Sequence, residues 1–340
     1  MRKLLNTLYV TTPEAYLSKD GLNVVVSVNQ KEMFRIPIVN IEGIVTFGYM
    51  GASPGLMKLC ADNNVSLSFL SPQGKFIGRF QGPIKGNVLL RTKQWDCAKN
   101  GQFALEVSKL FIAGKIQNYR NILSRFIRDN GDNDAVKEAV MQLKYCKQKA
   151  FNSSDMDYLR GVEGDAANRY FEVFPQLILH QKQDFVFTGR NRRPPKDAVN
   201  AMLSFVYTLI SSDMTSALET VGLDPYIGFL HTLRPGRASL ALDMMEELRA
   251  YLGDRLVLSL INRKQLSIKD FIRHGEEGVV MTDNGRKIIL TAWQNRKKET
   301  FVHPYLGEKI PIGLLPYTQA MLFARFVRGD LDNYPVFLIS

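Results

Sequence analysis

The chain has 340 residues, 45% of them hydrophobic, and carries 44 Lys and Arg against 33 Asp and Glu, a formal net charge of +11. That length suits one large or two ordinary domains with a normal core, and the cationic excess favours an anionic polymer, nucleic acid first, as partner. Cys60, Cys97 and Cys146 lie far apart with no CxxC spacing, which excludes a disulfide framework and a zinc ribbon and fits a reducing cytoplasm.

The start, MRKLLNTLYVTT, has two basic residues but an apolar run broken by Asn6 and Thr7, so it is not a signal peptide. No stretch reaches the roughly 18 apolar residues that span a bilayer. A soluble, cytoplasmic protein with no membrane partner is expected. Residues 1–82 read as a small β-rich domain. The short β-branched runs 22–28, 34–39 and 44–48 are separated by Gly, Asn and Lys. A helix is expected over 53–63, capped by Ser53 with Pro54 in its first turn. Residues 65–70 alternate strictly, 71–74 (Ser-Pro-Gln-Gly) form a turn, and 76–80 return as the second arm of a hairpin.

After Gly82-Pro83 the texture changes, and 83–102 reads as a linker to an all-α domain over 103–340. Helical patterns cover 103–129, 135–151, 154–174, 197–221 (ended by Gly222), 239–252 (ended by Gly253) and 317–328 (ended by Gly329). Residues 279–310 alternate weakly and read as a small hairpin or extended loop inserted late. The fold class expected is α+β.

On 154–174 a period of about 3.6 residues puts Leu159, Val162, Ala166, Ala167, Tyr170 and Phe174 on one side, with Glu163 inside that stripe. A carboxylate taken out of water must be protonated, paired or bound to a cation. Arg160 and Arg169 are near enough in sequence to pair with it. The other possibility is a metal, since the chain also offers a loop histidine, His231, and two acids three apart on one helix, Asp243 and Glu246. Carboxylates plus one imidazole suit Mg²⁺ or Mn²⁺. Asp243 and Glu246 face away from the stripe of Leu240, Met244, Leu248 and Tyr251, while Glu247 points elsewhere. In isolation such a pair is most often a solvated surface. What raises it is its lead-in, where His231 is followed by Arg234, Pro235 and Arg237 between two helices.

A basic loop precedes the helix at 197–221: Gly189-Arg190-Asn191-Arg192-Arg193-Pro194-Pro195-Lys196. Four cations in a proline-stiffened loop bind phosphate backbones and release counterions; the alternative is a solvated charge run.

Four segments in order resemble one family: Gly161-Val162-Glu163-Gly164-Asp165-Ala166-Ala167-Asn168-Arg169-Tyr170-Phe171, the run from Arg190 through Phe205, Gly228-Phe229-Leu230-His231, and the run from Arg237 through Glu246. Together they resemble the CRISPR-associated spacer-acquisition integrase, the universal first Cas protein, over the whole chain. The likeness extends to Gln319-Ala320, Ala324-Arg325, Gly329 and Tyr334-Pro335, and residues 4–10 look most like the I-C subtype. The resemblance implies a β domain that dimerises and an α-helical catalytic domain that binds Mg²⁺ or Mn²⁺ through Glu163, His231 and Glu246, with Asp243 as auxiliary ligand or support. Which of Asp243 and Glu246 is the direct ligand stays open. It implies transesterification, in which a DNA 3′-hydroxyl attacks a phosphodiester of the CRISPR repeat. DNA-binding candidates are Arg169, Tyr170, Arg190, Arg192, Arg193, Lys196, Arg234 and Arg237. Implied partners are double-stranded and branched DNA, a second copy of the chain, and the small second Cas protein of the adaptation complex. Competing readings are a structure-specific nuclease that uses water on branched DNA in repair, and a non-catalytic nucleic-acid-binding scaffold. A zinc hydrolase of small substrates fits the oxygen-rich ligands poorly.

Overall fold

The computed structural model describes residues 7–41, 43–72, 76–80, 82, 88–191, 194–273, 275 and 278–339. The chain divides into a first unit of residues 1–85, 281–301 and 311–314 and a second of 86–280, 302–310 and 315–340.

In the first unit, β2 (Ala15–Asp20), β3 (Asn23–Val28) and β4 (Lys31–Pro37) form an antiparallel meander after β1 (Thr7–Val10). A second sheet has the order β1, β5 (Gly43–Phe47), β6 (Ser66–Leu70), β7 (Phe76–Phe80), parallel across its first three strands. Parallel neighbours need a crossover, and α1 (Pro54–Asp62) supplies it between β5 and β6. Ser53 Oγ accepts from Leu56 N at 3.2 Å, with Pro54 in the first turn as expected. All of β5 is buried, as a central parallel strand should be. Leu17, Val24, Ile44, Leu56 and Leu67 make the core. The return strand over 76–80 is present, while Gln73 and Gly74 of its turn lie outside the described residues.

Two stretches differ from expectation. Residues 279–310 are not simply a hairpin or extended loop: Asp283–Lys298 is a helix whose residues fall in the first unit, and Thr300–Val302 pairs with Lys309–Pro311 as a small two-stranded sheet. Thr282 caps it, accepting from Gly285 N at 3.1 Å, and Ile289, Leu290 and Trp293 are its buried face. The weak alternation at Lys287-Ile288-Ile289-Leu290 is half of a helical stripe. Its Gln294 donates to Thr7 O at 2.8 Å. Residues 83–102, expected as linker, contain α2 (Val88–Lys99). Its Gln94 is fully buried; it donates to Asp224 O and Ile227 O and accepts from Asp224 N, all within 2.9 Å.

The second unit is built on α3 (Gly101–Asn130), α4 (Asp134–Phe151), α5 (Met156–Val173), α6 (Ala198–Val221), α7 (Ser239–Leu248) and α8 (Arg255–Asn262), and the last long helix is Leu315–Arg328. Asn100, Asn133, Asp155 and Asp197 cap four of them through side-chain oxygens, the expected chemistry at helix starts. Gly222 ends α6 with φ 88°. Gly253 is not a helix stop. The chain stays helical through a π-helical turn, Arg249–Asp254, into α8. A Cβ at Gly253 would sit 2.8 Å from the Tyr207 ring, so the glycine permits close packing. Among the described residues no helix is long and apolar enough to cross a membrane.

Candidate active site

The loop after α6 turns back so that three consecutive amides reach one carboxylate. Asp243 accepts from the N–H groups of Phe229 (2.6 Å), Leu230 (3.0 Å) and His231 (3.0 Å) and from His231 Nδ1 (2.6 Å). A Cβ at Gly228 would lie 2.8 Å from Asp243 Oδ2, which is why glycine stands there. Asp243 is completely buried. With Nδ1–H donating to Asp243, the imidazole keeps its Nε2 lone pair for the cavity beyond.

That cavity, about 300 Å³, is lined by Arg160, Glu163, Leu230, His231, Thr232, Arg237, Glu246 and Arg249. Glu163 on α5, Glu246 on α7 and His231, far apart in sequence, therefore share one cavity. Asp243 is not among its lining residues; its oxygens are used behind His231. Glu163 is not buried as its stripe implied: its side chain keeps 30% exposure at the edge where α5 meets the cavity. Neither nearby arginine pairs with it. Arg160 binds Asp157 Oδ1 at 2.8 Å and Leu230 O at 2.8 Å, and Arg169 binds Asp165 and Gln142.

The partner of Glu163 is Lys115 of α3, a residue absent from the sequence-based candidates. Its ammonium contacts Glu163 Oε1 and lies 2.9 Å from Glu246 Oε2, and its side chain is only 2% exposed. Arg249 Nη1 takes the other Glu246 oxygen at 2.9 Å. Burial pushes the Glu246 carboxyl up, but the cations Arg249 and Lys115 outweigh it and hold it down at about 2. The signal for Lys115 was available: it interrupts the apolar face of Phe111, Ile112, Ile116 and Tyr119 as Glu163 interrupts that of α5.

Glu247, also outside the sequence-based candidates, is wholly buried behind α7. It accepts from Tyr334 Oη (2.5 Å), Gln319 Nε2 (3.0 Å) and Phe337 N (2.6 Å). Burial raises it to about 7 against these hydrogen bonds. The face of Asp243 and Glu246 is therefore no solvated surface; both acids are buried between α7 and its neighbours.

The DNA-binding candidates separate. Tyr170 is excluded: fully buried, it stacks on Tyr119 with ring centroids 3.8 Å apart. Arg190 turns inward, donating to Asn200 Oδ1 (2.8 Å), Asn191 O (2.5 Å) and Ser204 Oγ (3.0 Å), so it organises its loop. Arg169 is engaged on α4 and α5. Lys196 and Arg234 are exposed, and Arg237 is part of the cavity wall. Arg192 and Arg193 lie outside the described residues.

Among the described residues no three His, Cys, Asp or Glu side chains already stand at metal-ligand spacing; Glu163 and Glu246 instead converge on an ammonium. The donor set nevertheless fits a hard divalent cation. Two carboxylates share the Lys115 ammonium, an imidazole nitrogen borders the same cavity, and Glu246 Oε2 is buried with an ion-pair partner but in no hydrogen bond.

The family model for CRISPR associated protein Cas1 matches residues 8–295. The chain is 49% identical over 341 residues to a CRISPR-associated endonuclease Cas1 of Chlorobaculum tepidum, covering 99% of each. In fold it is similar to a casposase bound to its integration product (22% identity, TM-score 0.85, 98% of this chain and 93% of that one). It is also similar to a chain of a Cas6-RT-Cas1–Cas2 complex (20% identity, TM-score 0.83, 98% of this chain and 36% of that one).

Proposed function

The chain belongs to the CRISPR-associated Cas1 family, and from that premise we propose that it is a metal-dependent DNA endonuclease and integrase of CRISPR adaptation. Its reaction is the attack of a spacer 3′-hydroxyl on a phosphodiester of the repeat, which exchanges one phosphodiester for another without a nucleotide cofactor. The observation that carries this reading is the convergence of Glu163, His231 and Glu246 on one cavity edged by Arg237.

Glu163, Glu246 and His231 Nε2 would hold Mg²⁺ or Mn²⁺, which supplies Lewis-acid activation of the phosphate and stabilisation of charge on the entering and leaving oxygens. Asp243 acts behind the site. Its hydrogen bond to His231 Nδ1 fixes the ring and its tautomer, and its three amide bonds fix the loop that carries the ring. Arg237 and Arg249 edge the cavity with positive charge, placed to orient a phosphate and offset its developing charge. Exposed Lys196 and Arg234 extend a cationic surface suited to duplex or branched DNA. A second copy of the chain, joined through the β-rich unit, and the small second Cas protein complete the proposed complex. The setting is the cytoplasm, and the placement nearest the I-C subtype rests on residues 4–10, of which 4–6 lie outside the described residues.

The test is a strand-joining assay with Mn²⁺ on a branched DNA. His231→Ala lowers joining and cleavage together by at least ~100-fold, since ligand geometry governs metal catalysis, while metal-free DNA affinity stays at the parent value. Joining at the parent rate would make His231 an ordinary loop residue. Loss of joining with cleavage intact would split the two reactions between centres and require a second site for the nuclease reading.

A further inference from the structure

Lys115 is a cation where the proposed metal would need the same oxygens. A buried ammonium costs several kcal/mol unless paired, and its ion pairs are with Glu163 and Glu246. Hydrophobic Ile112 and Ile116 flank it on α3, and the Tyr119 ring centroid is 5.8 Å away. The ammonium therefore has strong reason to stay on the two carboxylates, and a divalent ion entering the cavity must take those oxygens from it.

The charge around the cavity sharpens this. Glu163 and Glu246 contribute two negative charges and buried Asp243 a third; Lys115, Arg237 and Arg249 contribute three positive ones, and Arg160 is matched by its own partner Asp157. These charges balance before any metal arrives, so a divalent ion brings an excess of positive charge into the cavity. A phosphodiester in the cavity would add negative charge and relieve that opposition.

We propose that Lys115 is an internal competitor for the divalent-metal site: it holds Glu163 and Glu246 together in the metal-free protein and keeps metal affinity low until a DNA phosphate is bound. Metal and DNA then bind with positive coupling, so the centre is assembled on its substrate. The inference rests on the metal reading above and assigns Lys115 a positioning role, not a bond-making one.

Mn²⁺ binding to the full chain is titrated by the loss of the free-ion electron paramagnetic resonance signal, with and without a catalytically inert duplex. Without DNA, Lys115→Met binds Mn²⁺ at least ~10-fold more tightly than the parent, because the competing charge is gone, while Lys115→Arg remains close to the parent. DNA tightens Mn²⁺ binding strongly in the parent and weakly in Lys115→Met. Equal or weaker Mn²⁺ binding by Lys115→Met, with the parent binding normally, overturns the inference and leaves the metal reading standing. If no form binds Mn²⁺ even with DNA, the metal reading fails and the inference with it. Should Lys115→Met not fold, Lys115→Gln replaces it. Folding of these variants only when Mn²⁺ is present supports the competition, since the ion then replaces the missing cation. Failure of both to fold even with Mn²⁺ assigns Lys115 to the core and overturns it.

Discussion

Glu246 and Glu247 are neighbours on α7 and show opposite ways of burying a carboxylate. Glu246 faces the cavity, where Arg249 and Lys115 keep it charged down to about 2. Glu247 faces the C-terminal segment, where burial raises it to about 7 and its oxygens are held by Tyr334, Gln319 and the Phe337 amide. The front of the helix sets its negative charge against cations, where a metal could take the carboxylates and a phosphate could take the cations. The back uses neutral donors that no ligand reaches. One side is arranged to exchange partners and the other to keep them.

The sharpest test of that contrast substitutes one acid on each side. Glu163→Gln, across the cavity from Glu246, lowers strand joining by at least ~100-fold. Its side chain keeps 30% exposure and buried Lys115 retains Glu246 as a partner, so unfolding free energy moves by only about 1–2 kcal/mol. Glu247→Ala does the reverse. It leaves the Tyr334 hydroxyl and the Phe337 amide without an acceptor, Gln319 keeping Tyr334 Oη and Pro335 O, and costs roughly 3–5 kcal/mol of stability, while kcat measured where the variant is folded stays at the parent value. Urea denaturation beside the joining assay checks both; loss of the same quantity in both variants would erase the distinction.

A smaller effect is expected at Asp254, at the end of the π-helical turn. Burial raises this acid to about 6, against a hydrogen bond from Tyr207 Oη at 2.6 Å. A folded pKa above the unfolded value of 3.8 means that the folded chain holds the proton more tightly. The stability it contributes is present at low pH and is lost as pH rises through about 6. Asp254→Asn removes that dependence. The fall in stability between about pH 4.5 and about pH 7.5 should shrink by about 2 kcal/mol, measured by urea denaturation at the two pH values. An unchanged slope would show that Asp254 is charged throughout.

The smallest effect lies on the outer surface. Lys196→Ala with Arg234→Ala should weaken DNA binding uniformly across sequences and lower the log–log salt slope by roughly one for each phosphate that is no longer neutralised. An unchanged slope would return these side chains to the status of a solvated face.

Local chemistry was plain in the sequence wherever a few neighbouring residues settle the matter. Ser53-Pro54 at α1 and Gly222 after α6 are read from single positions, because capping and positive φ depend on nearest neighbours. Glu163 and His231 stood out as residues that were costly or rare where they occurred. The misread stretches are those where short pieces mislead: Lys287-Ile288-Ile289-Leu290 fits a strand until Trp293 completes the helical face, and Gly253 looks like a stop until Tyr207 is found against it.

Residue types and spacing were enough to assign the α+β class and the cationic character, since these follow from periodicity and composition, while the grouping of Glu163, His231 and Glu246 came from the family resemblance. Partner choice was beyond them. Lys115 meets Glu163 across 48 residues, Asp243 turns to the loop while Glu246 turns to the cavity, and Tyr170 goes inward to Tyr119 although its motif neighbour Glu163 goes outward. Each of these is decided by which helix packs against which face. A carboxylate carries the same charge at every position, and only the packed neighbours set whether it meets an amide, an ammonium or a phenol.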